Sequence, residues 1–150
     1  MISPAKATQT LAFEFGAISF TPAPNYYIGL TTTVITIDEN GKGTSFTEPT
    51  NAGYARVGVE NIAGNWAVAS GEVKNISQLA FPTFTSAPSL GSDTEAIGWF
   101  ISEYADSSVA GDCAIYFGTF TSPKPLVAES EIVIKPGGLT IKRANECDAP

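Results

Sequence analysis

The sequence predicts an all-β protein: a single β-sandwich, jelly-roll-like, of about eight to nine strands with a short N-terminal helix. Three observations predict it. Fourteen glycines and ten prolines interrupt the chain too often for long helices, since glycine costs a helix backbone entropy and proline removes a donor. Between these interruptions lie short runs rich in Val, Ile, Thr, Tyr and Phe, which suit a pleated, half-buried surface. A hydrophobic fraction of 43% against 15% charged residues gives enough apolar surface for a core and argues against disorder. At 150 residues the chain fits one domain, 1–150, with 1–16 as a helical arm and 144–150 as a mobile tail.

The elements follow in order. Ser3-Pro4 is a good helix start, a capping hydroxyl followed by a residue whose missing N–H costs nothing there. The helix runs from Pro4 to about Phe15, and Gly16 ends it. Ala7, Leu11 and Phe15 form an apolar stripe that must pack on something, either one end of the sandwich or, alternatively, a neighbouring subunit or the virion surface. Pro22 and Pro24 stop any further helix, and Tyr26 to Ile37 reads as one long strand. Asp38 to Gly43 supplies a turn around Asn40-Gly41, a strong hairpin signal.

Glu48 to Val59 joins a bend at Pro49, Asn51 and Gly53 to a half-buried strand, with Arg56, Gly58 and Glu60 on one face and Ala55, Val57 and Val59 on the other. Asn65–Ala69 and Val73–Ile76 read as solvent-facing strands around the tight turn Ser70-Gly71-Glu72. Gln78–Phe84 contains Pro82, so it is an edge strand or carries a bulge. Edges invite partners, which makes Phe81, Pro82 and Phe84 candidate subunit contacts beside Leu11 and Phe15. Ser86–Thr94 is a surface loop. Glu95–Tyr104 and Asp112–Phe120 form a central hairpin, with Trp99 in the core. Ser122-Pro123-Lys124-Pro125 breaks the sheet, and Ser130–Lys135 and Leu139–Arg143 are closing strands around Pro136-Gly137-Gly138.

Charge and residue types narrow the function. A net charge of −7 argues against nucleic-acid binding, which needs clustered Lys and Arg; only Lys135–Arg143 is locally basic. No apolar run approaches the ~20 residues that span a bilayer, and no signal-peptide pattern opens the chain, so neither membrane insertion nor secretion is expected. The absence of histidine removes the commonest general base and zinc ligand. No phosphate-binding loop surrounds Gly41-Lys42 and no Gly-x-Ser-x-Gly elbow occurs. Asp93, Glu95, Glu103, Asp106 and Asp112 lie near strand ends, where solvated loop positions are the ordinary reading and a catalytic pair the alternative. Asp38 and Asn40 fail as a calcium loop because Lys42 occupies the next ligand position. No enzyme, cofactor or metal is expected. Of the two cysteines, Cys113 reads as a buried thiol and Cys147 as a solvent-exposed one, with a disulfide between them as the alternative.

Gly53-Tyr54-Ala55-Arg56 resembles the Gly-Tyr-Ala-Arg signature of a family of small bacteriophage virion proteins, usually labelled tail-fibre or minor structural proteins. Phe20–Thr31, Phe81-Pro82, Ile97–Phe100, Tyr116–Lys124 and Pro136–Ile141 resemble that family's further segments in the same order. Asn61–Val68 and Ser86–Thr94 depart from it. The resemblance implies a non-enzymatic structural protein that binds other virion subunits, as a tail-fibre component or a capsid decoration (cement) protein. It also implies a symmetric homo-oligomer such as a trimer, located in the virion and assembled in the host cytoplasm. The rival reading is a carbohydrate-binding module that recognises a host glycan through Tyr26, Tyr27, Trp66 or Tyr104.

Overall fold

A computed structural model of the chain describes residues 21–39, 43–110 and 112–142, together with Thr8, Leu11, Ala12, Phe15 and Gly16. Eleven strands run through the described residues: β1 (Asn25–Thr31), β2 (Thr36–Ile37), β3 (Gly43–Ser45), β4 (Val57–Glu60), β5 (Trp66–Ala69), β6 (Glu72–Asn75), β7 (Leu79–Ala80), β8 (Glu95–Ser102), β9 (Tyr116–Pro125), β10 (Val133–Ile134) and β11 (Thr140–Lys142). The main sheet has the order β4-β1-β8-β9 with every pair antiparallel. Smaller sheets β11-β6-β5, β10-β7 and β2-β3 accompany it.

Strand alternation sorts the side chains of the main sheet. Ile28 stands opposite Ile101 on one side and Val57 on the other, while Leu30 faces Trp99 and Tyr26 faces Val59. These residues share a face. Ile28, Leu30, Val59, Trp99 and Ile101 join Trp66, Leu79, Phe81, Phe84, Ile115, Leu126, Ile132, Ile134 and Leu139 in one buried cluster. The core is therefore one face of the main sheet covered by the β11-β6-β5 and β10-β7 sheets and their connecting loops, the two-layer logic expected of β proteins.

The opposite face carries a second, smaller packing centre. Phe100 is fully buried there, and its ring lies so close over Gly29 that a Cβ on Gly29 would sit 2.2 Å from it. Phe46 packs on the same ring at 4.5 Å between centroids. Only glycine at position 29 leaves room for the phenyl ring between the strands.

Several elements differ from their sequence reading. The long strand from Tyr26 to Ile37 is broken after Thr31, whose hydroxyl donates to the Thr33 carbonyl at 2.6 Å and accepts from the Thr33 N–H at 3.3 Å. This local turn competes with the ladder, as threonine hydroxyls can. The strand expected over Gln78–Phe84 shrinks to two residues, because Pro82 has no N–H to give; Phe81 and Phe84 instead donate to the Ile132 and Ser130 carbonyls at 2.9 and 3.0 Å. Ser122–Pro125 continues β9 rather than ending it, since Lys124 pairs with Ala96 and Pro125 with Glu95. Two features permit this: β9 lies at the sheet's edge, and its register with β8 shifts between Ala96 and Gly98, so the prolines sit where no ladder donor is required.

Other expectations meet the structure as follows. The tight turn between β5 and β6 is made by Ser70 and Gly71, both at positive φ of 52° and 74°, the geometry of a two-residue hairpin. β2 and β3 pair antiparallel, although Asn40-Gly41 lies outside the described residues. No helix stands among the described elements. Most of the expected helix from Pro4 to Phe15 lies outside them, as do the 144–150 tail and Cys147. Cys113 is half-buried against the core.

Candidate functional site

Two places concentrate the unusual chemistry of the described residues. The first is the buried guanidinium of Arg56, just before β4. Its Nε and Nη2 donate to the Glu48 carboxylate at 3.1 and 2.6 Å. Nη1 and Nη2 donate to Asp112 at 2.9 and 2.7 Å, and Nη1 also donates to the Tyr104 carbonyl at 2.8 Å. All five N–H donors are thus used, in the forked geometry that suits arginine to carboxylates. The Phe100 ring lies 4.8 Å from the guanidinium carbon, adding a cation–π contact. Burial opposes the charge, but the hydrogen bonds to Asp112 and Glu48 outweigh it and hold the pKa above the ordinary arginine value.

Neighbouring groups complete this cluster. Ser102 donates its hydroxyl to Asp112 at 2.6 Å and accepts from the Tyr104 N–H at 3.0 Å. The Tyr54 hydroxyl donates to Glu48 at 2.7 Å and accepts from the Leu30 N–H at 3.0 Å. Leu30 lies beyond the end of the β1–β4 ladder, so this phenol replaces the missing strand partner. Burial first, and then the Glu48 charge, push the Tyr54 phenol well above its ordinary range. Both carboxylates are committed to Arg56, so the cluster fastens the 48–56 stretch to the end of β8 and the loop before β9. It is not arranged as a free acid–base pair.

The second place is an open groove of about 470 Å³, formed where the β5, β6 and β11 sheet faces one end of the main sheet. Its walls are Tyr26, Asn61, Ile62, Ala63, Trp66, Val68, Val73, Ile101, Tyr116 and Ile141, none of them charged. Ile62 and Val68 stand exposed at its rim. Burial, with a smaller contribution from Tyr116 and Glu103, pushes the Tyr26 phenol up to about 12. Tyr116 is likewise raised by burial and then by Glu103. The Trp66 indole N–H is buried without a hydrogen-bond partner in the protein. Among the described residues, no group of three or more His, Cys, Asp and Glu side chains could hold a metal ion.

Comparison with known families decides the kinship. The family described as podophage GP4 fiber I protein gp80 matches residues 2–142. The chain belongs to this gp80 fibre family. A comparison with curated proteins finds no match. Membership makes the chain a bacteriophage fibre structural protein and a virion component.

For a gp80-family protein, the residues singled out from sequence fall in distinct places. Tyr26 and Trp66 meet in the groove, whereas Tyr27 lies on the other face of β1 and Tyr104 lies by the Arg56 cluster, so the four do not form one glycan surface. Trp66 is only 9% exposed and belongs to the core cluster. Phe81 and Phe84 are fully buried within the same chain and belong to its core cluster; the strand before Pro82 does lie at an edge, pairing with β10 alone, but these two rings point into the core. Pro82 is exposed, as are Leu11 and Phe15.

Tyr116 and the rim residues Ile62 and Val68 were missed. Alternation on β9 could have exposed Tyr116, because it lies opposite Ile101. The role of Arg56 was also missed, since alternation placed it on the polar face of its strand. The signal available was the Glu48–Arg56 pairing across a turn; nothing in the sequence marks Asp112 as its second partner.

Proposed function

We propose that this fibre protein works without catalysis, as a tail-fibre component that binds other virion subunits and forms a homo-oligomer. The observation that carries this reading is the uncharged, open groove with Ile62 and Val68 exposed at its rim. A contiguous exposed apolar surface costs free energy in water and marks a contact site. Capsid decoration is the rival use of such a surface, and the fibre description of the family supports the tail. Virions assembled in host cells lacking this chain test the reading: fibres should be missing or incomplete in negative-stain images, and restored by supplying the chain in trans. Intact fibres without it, on virions from which the protein is absent, contradict the proposal.

Glycan recognition is the second reading, favoured by Tyr26, Trp66 and Tyr116 lining one groove. With the Trp66 ring committed to the core, the tyrosines would make the contacts. Trp66→Ala is an unsuitable test because truncating a buried tryptophan costs about 3–5 kcal/mol of stability. Binding of the isolated protein to host glycans that weakens in Tyr26→Ala supports this reading; absence of glycan binding opposes it.

A further inference from the structure

The Arg56 cluster adjoins a cleft of about 440 Å³, a volume in the range of small-ligand sites. Thr44, Phe46, Thr47 and Glu48 form one wall, and Ser107, Val109 and Asp112 form the other. The cleft shares no residue with the apolar groove and stands on the Phe100 side of the main sheet, where Phe46 packs on that ring. Arg56 ties the two walls together, holding Glu48 on one and Asp112 on the other. The width of the cleft is thereby set before a ligand arrives, which spares the ligand the cost of ordering it.

The hydrogen-bond inventory of the two carboxylates defines what the cleft can accept. A carboxylate has about four lone-pair positions. Glu48 uses three of them, for the Arg56 Nε and Nη2 and for the Tyr54 hydroxyl. Asp112 also uses three, for Arg56 Nη1 and Nη2 and for the Ser102 hydroxyl. One acceptor position remains on Glu48 Oε1 and one on Asp112 Oδ2. These oxygens lie 2.6 and 2.7 Å from the same Nη2 atom, so they are at most the sum, 5.3 Å, apart. Around them the Thr44, Thr47 and Ser107 hydroxyls can donate or accept, while Phe46 and Val109 supply apolar surface.

We propose that this cleft binds a neutral polyhydroxylated ligand, a saccharide unit, at a site separate from the groove and independent of its assembly role. Two carboxylates against one guanidinium leave one negative charge in excess, which repels a sugar acid. The guanidinium bonded to both open oxygens repels an ammonium group or a metal ion placed on them. The remaining attraction is directional. Two hydroxyls of a neutral sugar donate to Glu48 Oε1 and Asp112 Oδ2, its oxygens accept from the threonine and serine hydroxyls, and its C–H face lies on Phe46 and Val109.

Amide chemical-shift mapping on the isotope-labelled full chain tests this, with glucose, galactose, rhamnose and N-acetylglucosamine as neutral probes and glucuronic acid and glucosamine as charged ones. At least one neutral sugar should give saturable shifts at Thr44, Phe46, Thr47, Ser107 and Val109, and the charged probes should bind more weakly. Ser107→Ala and Thr47→Val, both at exposed positions, should each weaken binding by about three- to tenfold, the scale of one lost hydrogen bond, with the remaining spectrum unchanged. Tyr26→Ala, in the groove, should leave it unaltered. No saturable shift with any neutral sugar, shifts gathered at Tyr26, Ile62 and Tyr116 instead, or a preference for glucosamine over N-acetylglucosamine overturns the proposal. If no sugar binds but virions lacking the chain also lack fibres, the saccharide cleft fails while the assembly reading stands.

Discussion

Replacing Arg56 by methionine removes the guanidinium while retaining much of the side-chain volume over Phe100. The Arg56, Glu48 and Asp112 side chains are only 1%, 16% and 8% exposed, so solvent screening does little to soften the loss. Removing one partner of a buried ion pair strands the others and costs about 3–5 kcal/mol. For a domain of this size, that lowers the melting temperature by about 6–20 °C. Arg56→Lys keeps the charge but cannot fork to both carboxylates, and should cost about 1.5–3 kcal/mol, the scale of a lost hydrogen bond to a charged group. Adding Glu48→Gln and Asp112→Asn to Arg56→Met should recover part of the loss, because no carboxylate is then left uncompensated. Urea denaturation reads all of these as midpoint shifts at constant slope. If Arg56→Met costs less than about 1 kcal/mol, the range of exposed pairs, the cluster does not fasten the fold and the reasoning fails.

Three further outcomes follow. Gly29→Ala should destabilise by about 1–3 kcal/mol, the usual cost of overpacking, because the new Cβ meets the Phe100 ring at 2.2 Å, while Gly64→Ala, which meets nothing within 4 Å, should be nearly neutral; equal denaturation midpoints would contradict the packing described. Tyr54→Phe should cost about 1–3 kcal/mol, since the Leu30 N–H loses its acceptor and Glu48 a donor, and unchanged thermal stability would refute that role. The contribution of Tyr26 to stability should be constant below about pH 10 and be lost from there toward about 12, because Tyr26 keeps its proton up to about 12 in the folded state and releases it near 10 when unfolded. In that window the unfolded state binds fewer protons, so rising pH favours unfolding. Alkaline denaturation and phenolate absorbance check this, and normal titration of every tyrosine near 10 in the folded protein would contradict it.

The legible parts of the fold were those governed by local rules. The Ser70-Gly71 hairpin turn, the apolar runs of β8 and β9, and the bend at Asn51–Gly53 all follow from backbone preferences at single residues. Strand ends were less legible because long-range contacts set them. Thr31 ends β1 by bonding to Thr33, and Pro123 sits inside β9 because that strand is at an edge and shifts register against β8. Neither fact resides in the residue itself.

The candidate sites show the same division. Tyr26 and Trp66 were recognisable as amphipathic aromatics, but their meeting with Tyr116 depends on how two sheets face one another. Phe81 and Phe84 looked like contacts because Pro82 suggested an edge; burial by segments far along the chain, reached through Ile132 and Ser130, gave them a different role. Arg56 illustrates the hardest case, since one of its carboxylates is eight residues away and the other fifty-six.

The central claim, a fibre component joined to other subunits through the groove face, is tested most directly by cryo-electron microscopy of intact virions at a resolution that shows strands. The account predicts this chain's density in the tail fibre, with Ile62 and Val68 covered by a neighbouring subunit. Density repeating over the capsid lattice, or a groove face turned to solvent in the fibre, would contradict it.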